Sequence, residues 1–133
     1  MKISITQKGH QTMDLHENTP IVYICSPFRG ATPDEQTANI ENAKRYGRYA
    51  IANGAIPFIA HLAICGFLDD SDPEQRKLGI QADLIMLNHC AELWVFGDKI
   101  SSGMKAEIDY CTQKNIPIRY YTTDCQPLSG LKG

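Results

Sequence analysis

Glu107 is the residue from which a chemical reading of this sequence starts. It lies in Ser101-Ser102-Gly103-Met104-Lys105-Ala106-Glu107-Ile108, after the apolar run Leu93-Trp94-Val95-Phe96. Small residues between a strand and an amphipathic helix place backbone N–H groups at the helix start, where anions bind well. A carboxylate near that end is often only a surface partner of the helix dipole. Its chemical alternative is a nucleophile that attacks a sugar carbon, as carboxylates do in retaining glycoside cleavage.

Four further positions could serve such an acid. In Ser26-Pro27-Phe28-Arg29-Gly30, a polar turn ends a buried-looking run, and Arg29 offers a planar fork for phosphate, helped by Ser26 and nearby backbone amides. The plainer reading is a strand-to-helix connection with Arg29 exposed. The turn is neither G-x-x-x-x-G-K-[ST] nor G-x-G-x-x-G, so ATP or NAD binding has no motif support. Asp83 sits among Ala82, Leu84 and Ile85, either on a solvated helix face or as a carboxylate that bonds a sugar hydroxyl or handles a proton. Tyr23 alternates into a strand; it is core unless its hydroxyl reaches the strand end and holds Glu107. His61 either touches ligand or is structural, and no second histidine stands at metal-ligand spacing. Asp69-Asp70-Ser71-Asp72-Pro73 is read as a turn and helix cap, not a metal pair.

The elements that must position these residues are legible from pattern. Ile21 to Cys25 is a near-continuous apolar run, as in a strand buried on both faces. Thr32-Pro33-Asp34-Glu35 predicts a helix start with N-cap, proline at the first position and a capping box, and Asn53-Gly54 supplies the stop. Ala55 to Ile59 predicts a short strand that its proline assigns to an edge or an end. A loop from His61 through Gly66 to Asp70 follows, then a helix opening at Asp72-Pro73 with Leu78, Ala82, Ile85 and His89 on one face. Leu93 to Phe96, a helix from Ser102 to Lys114 stopped at Asn115, and a strand over Ile116 to Tyr121 complete the series. Residues 1–19 predict a β-hairpin or a disordered arm, and residues 123–133, rich in Pro, Ser and Gly, a loose tail.

The order β-α-β-α-β-α-β predicts an α/β fold, a single three-layer domain with a mostly parallel sheet and right-handed crossovers. Ligands in such folds sit beyond the carboxyl ends of the strands. That rule gathers Ser26–Gly30, His61 and Gly97–Ser102 at one rim, with Glu107 just below.

The 133 residues, 43% hydrophobic and 21% charged, suit one globular core. A net charge of −2 gives no footprint for a nucleic-acid polymer. No apolar run approaches the roughly 20 residues of a membrane helix, and no secretory pattern opens the chain. Cys25, Cys65, Cys90, Cys111 and Cys125 form no C-x-x-C pair, which speaks against structural zinc and for a reduced, cytoplasmic protein.

In order and spacing, four segments resemble the nucleoside 2-deoxyribosyltransferase-like superfamily, which includes the 2′-deoxynucleoside 5′-phosphate N-hydrolases. They are Val22-Tyr-Ile-Cys-Ser-Pro-Phe-Arg-Gly30, Gly79-Ile-Gln-Ala-Asp-Leu84, Glu92-Leu-Trp-Val-Phe-Gly97 and Ser102-Gly-Met-Lys-Ala-Glu-Ile108, and they span about three quarters of the chain. The resemblance implies a flavodoxin-like or Rossmann-like domain over residues 20–122 that cleaves the N-glycosidic bond of a deoxynucleoside or its 5′-monophosphate. It implies Glu107 as nucleophile, Asp83 as the aspartate at the sugar or base, and Tyr23 as the tyrosine that orients the nucleophile. Ser26, Arg29, Gly30 and Ser102 resemble a 5′-phosphate pocket, and Phe28, His61, Ser101 and Gly103 join the expected substrate-binding set. Some transferases of the superfamily carry an aspartate shortly before the glutamate; here Ser101 occupies that neighbourhood, and Asp98 lies further upstream. No metal and no organic cofactor are implied, and the expected partners are a small nucleoside or nucleotide and further copies of the chain in a homodimer or larger assembly. The reading from another class is a non-catalytic nucleotide-binding module, which needs Arg29 and the Ser102 loop but not Glu107.

Overall fold

In a computed structural model of the chain, residues 4–6 and 12–128 are described. Four parallel strands form the central sheet: β3 (Ile21–Cys25), β4 (Ile56–Phe58), β5 (Glu92–Phe96) and β6 (Ile118–Tyr121), after an antiparallel pair β1 (Ser4–Thr6) and β2 (Thr12–Asp14). The sheet order is β4-β3-β5-β6. The chain thus steps from β3 to one side, returns across it, and continues on the other. α1 (Pro33–Ala52) makes the first step, and α3 (Pro73–Asn88) and α4 (Ser102–Lys114) the others, with the four-residue α2 (Ala60–Ala63) between β4 and α3. Right-handed crossovers in that order put α1 on one face and α3 and α4 on the other.

Two cores follow from the alternation of β3. Val22 and Ile24 point to the α1 side with Tyr46, Ala50, Trp94, Phe96 and Tyr121. Tyr23 and Cys25 point to the other side, with Leu87, Leu93, Val95, Met104 and Cys111. Tyr46 and Phe96 stack at 4.2 Å, and Phe96 stacks on Tyr121 at 4.9 Å. Tyr46 is therefore packed inside the domain.

The helix ends follow the sequence signals. Thr32 caps α1 by accepting from the Glu35 backbone N–H at 3.1 Å. The Glu35 carboxylate reaches back to the Ala31 N–H, one residue before the cap. Asp72 caps α3 through the Glu74 N–H, Ser101 caps α4 through the Met104 N–H, and Asn115 ends α4 at φ 60°. β4 lies at a sheet edge, where its proline costs no central ladder bond.

Three expectations are corrected. The face of α3 traced by Leu78, Ala82, Ile85 and His89 is not the buried one: Leu78 is 57% exposed and Ile85 61%. Leu84 and Leu87 face the core instead. Apolar residues surround this helix, so two stripes fit its periodicity equally well, and the contact with α4 selects one. The expected loop after β4 begins with α2. The described part of the tail is not loose. Thr122 N–H donates to Gln126 O and Leu128 N–H to Tyr120 O, folding the segment back along β6. Arg45 fastens the turn by donating to Thr123 O at 2.5 Å. Residues 129–133 lie outside the described residues, as does the turn between β1 and β2, whose antiparallel pairing matches the hairpin alternative.

Candidate active site

Two acids occupy core-facing positions on the two helices that share a face of the sheet. On α4, Met104 and Cys111 are buried, and Glu107 lies between them at i+3 and i−4, on the same stripe. On α3, Asp83 precedes Leu84 and lies one turn before the fully buried Leu87. Neither acid is on a solvated face, so for both the surface reading is overturned. Glu107 also stands in the second turn of α4, beyond the first-turn positions where the helix dipole acts most strongly.

Tyr23 reaches Glu107 from the sheet. Its hydroxyl donates to Glu107 Oε2 at 2.5 Å, linking the middle of β3 to α4. Alternation along β3 aims Tyr23 and Cys25 at this face, and the Tyr23 ring packs 5.6 Å from Phe58 of β4. The thiol of Cys25 lies 3.9 Å from the Met104 carbonyl, at the start of the same helix.

Burial sets the electrostatics. It pushes the Glu107 carboxyl up to about 7; hydrogen bonds from Tyr23 and Cys25 pull it down, and the Asp83 charge adds to the rise. Burial alone pushes Asp83 up to about 6. The Tyr23 phenol is driven far above its ordinary range by burial first, then by the charges of Glu107 and Asp83, so it remains a donor. The three groups share one electrostatic neighbourhood. Asp83 Oδ1 is buried with no hydrogen-bond partner among the described residues. Leaving such an acceptor unpaired costs about 1–3 kcal/mol, and in a native protein it calls for an explanation.

The strand ends supply a second group of residues. The switch in strand order falls between β3 and β5, where the crevice of an open α/β sheet forms. There a cleft of about 420 Å³ is lined by Pro27, Arg29, Gly30 and Glu35 from one side and Lys99 and Ser101 from the other. Glu107, Asp83 and Tyr23 do not line it. Ser26 is 3% exposed, and its hydroxyl has no partner among the described residues. His61 Nε2 meets the Ser26 carbonyl at 2.9 Å, and the His61 ring stacks on Phe28 at 4.6 Å. Burial holds its pKa below the usual histidine value, so His61 is a neutral donor bracing the turn after β3. Gly30 is required there: a Cβ would come 2.2 Å from that of Glu35.

The residues expected at a phosphate do not all line this cleft: Arg29, Gly30 and Ser101 do, and Ser26, Ser102 and Gly103 do not. Arg29 is ion-paired with Asp70. Ser101 Oγ accepts from Met104 N–H at 3.2 Å as the α4 cap, and Ser102 and Gly103 lie exposed in the first turn. Local pattern describes Asp70 as part of a turn, Glu35 as part of a helix start and Cys25 as part of a buried strand, and places none of them beside Arg29, Ala31 or Met104. A signal did exist for the acids: at 107 and 83 a carboxylate interrupts an otherwise apolar helical stripe. Among the described residues no group of three or more His, Cys, Asp or Glu is placed to hold a metal ion. No described helix is long and apolar enough to cross a membrane.

Residues 20–121 match a family model described as a domain of unknown function, DUF7768. No curated protein matches the sequence. Among solved structures, the fold is similar to that of a 2-deoxyribosyltransferase from the psychrotolerant bacterium Bacillus psychrosaccharolyticus, with a TM-score of 0.58. The two are 18% identical, and the match covers 77% of this chain and 72% of the other. At that identity the likeness is one of fold.

Proposed function

We propose that this chain, which belongs to the DUF7768 family, cleaves the N-glycosidic bond of a deoxynucleoside or its 5′-monophosphate. The observation that carries the reading is the partly buried Glu107 carboxylate held by the Tyr23 hydroxyl, with the unpartnered Asp83 Oδ1 in the same electrostatic neighbourhood. The enzyme of similar fold is named for deoxyribosyl transfer, which favours a sugar as the reacting group.

In this reading Glu107 attacks the anomeric carbon in its ionised form, the bond to the base breaks with its electron pair leaving on the base nitrogen, and a glycosyl ester forms. Tyr23 fixes the attacking carboxylate and keeps more of it ionised than burial alone would allow. Asp83 accepts a hydrogen bond from the sugar or, when protonated, delivers a proton to the departing base. Water resolves the ester in a hydrolase; a second base resolves it in a transferase.

The direct test incubates the protein with the common deoxynucleosides and their monophosphates and follows free base by chromatography. Folded protein that releases base from none of them sinks the reading. Tyr23→Phe removes the donor that lowers the Glu107 pKa while keeping the ring against Phe58. Its pH–rate profile should shift its rising limb above the wild-type position, with about a tenfold loss of rate at neutral pH. An unshifted limb would mean that Tyr23 only fills space.

A further inference from the structure

Two donors that would grip a phosphate after β3, the Arg29 guanidinium and the Ala31 N–H, are engaged by carboxylates of the chain itself. Asp70, in the turn between α2 and α3, is ion-paired with Arg29. The Ala31 N–H donates to Glu35 Oε2 at 2.7 Å, and Glu35 lines the same cleft as Arg29. The turn carrying Asp70 is tied down on both sides. Asp69 Oδ1 accepts from the Ser71 N–H at 3.0 Å and hydroxyl at 2.6 Å, and the Asp69 N–H donates to Gln75 Oε1 at 2.7 Å. Asp72 caps α3 and accepts from Gln75 Nε2 at 3.1 Å. Asp70 is thus presented to Arg29 from a fixed turn, and a carboxylate tethered beside its partner competes at high effective concentration.

We propose that Asp70 is a specificity-determining residue that occupies the position on Arg29 a 5′-phosphate needs, so that the site takes unphosphorylated deoxynucleosides. This rests on the glycosidic reading for the chemistry at the sugar and narrows its substrate class. A phosphate approaching Arg29 must displace Asp70 and then meets two negative charges, Asp70 and Glu35, against the single further cation among the described residues of the cleft wall, Lys99. The 5′-hydroxyl of a free sugar carries no charge, so it meets neither penalty. Both partners of the pair are about half exposed, 54% and 49%, so solvent screens them and the discrimination is severalfold.

The test titrates inorganic phosphate into the wild type, Asp70→Asn and Asp70→Glu, alongside base release from the deoxynucleosides and monophosphates. Asp70→Asn should bind phosphate about two- to fivefold more tightly than the wild type, and its release ratio of monophosphate to deoxynucleoside should rise by a similar factor. Salt at about 1 M should shrink the gain, and Asp70→Glu should restore wild-type behaviour. Equal phosphate affinity in the wild type and Asp70→Asn overturns the proposal, as does wild-type release that is faster from monophosphates. Base release from no compound counts against the glycosidic reading, and the phosphate titration still decides whether Asp70 guards Arg29.

Discussion

Glu107→Gln should abolish base release, with turnover falling about a thousandfold or more while nucleoside affinity changes little. The amide keeps the shape of the side chain, and its carbonyl still accepts from the Tyr23 hydroxyl. It cannot serve as a nucleophile, because it carries no charge to form the glycosyl ester. Binding and turnover therefore separate at this one atom. Calorimetric titration with a substrate of the wild type should give nearly the same Kd in both proteins, while chromatography shows product from the wild type alone. A Glu107→Gln protein that retains more than about a tenth of wild-type turnover would assign the chemistry elsewhere. A protein that binds nucleosides but never turns them over, with or without the substitution, would be the binding module instead.

The second large effect is on stability, and it follows pH. Glu107 takes up its proton at about 7 in the folded chain against an ordinary 4.5, and Asp83 at about 6 against 3.8. Across that interval the folded chain holds more protons than the unfolded one, so stability is greatest below about pH 4 as far as these two groups decide it. It falls as the pH rises through about 6 and 7, and the loss is complete above both values. For Glu107 the difference corresponds to about 3 kcal/mol. Glu107→Gln, neutral at every pH, should therefore be more stable than the wild type at about pH 8 and nearly equal to it at about pH 4.5. Urea denaturation at the two values measures this directly. A wild type that gains stability between them, relative to the variant, would mean that burial does not govern this carboxyl. Base release should climb over the same interval, so the form that reacts is the less stable one. Such an exchange of stability for function is common at active sites.

The fold was legible in the sequence because its signals are local. Thr32, Asp72 and Ser101 cap helices by bonding N–H groups two or three residues ahead, and Asn115 marks a stop by tolerating a left-handed backbone. The apolar strands and their order then leave few arrangements of sheet and helices. The face of α3 was not legible, since Leu78 and Ile85 are as apolar as Leu84 and Leu87 and only packing against α4 separates them. Glu107 and Tyr23 lie 84 positions apart, and no spacing rule joins them; the resemblance to a known superfamily did. Asp70 shows the opposite limit. Its sequence, Asp-Asp-Ser-Asp-Pro, describes the turn it stands in but not the arginine it faces across 41 positions.

The segment from Thr122 to Leu128 bears on how the protein behaves among its own copies. A parallel sheet has two margins of unpaired backbone, each a template for another chain. At the β6 margin the chain lays its own continuation along the strand, with Leu128 bonded to Tyr120 and Pro127 bridged to Tyr121. At the β4 margin the strand is three residues long and carries Pro57. One margin is covered and the other is too short and interrupted to recruit a strand. Neither margin of the four-stranded sheet is therefore a ready template for a strand from another copy.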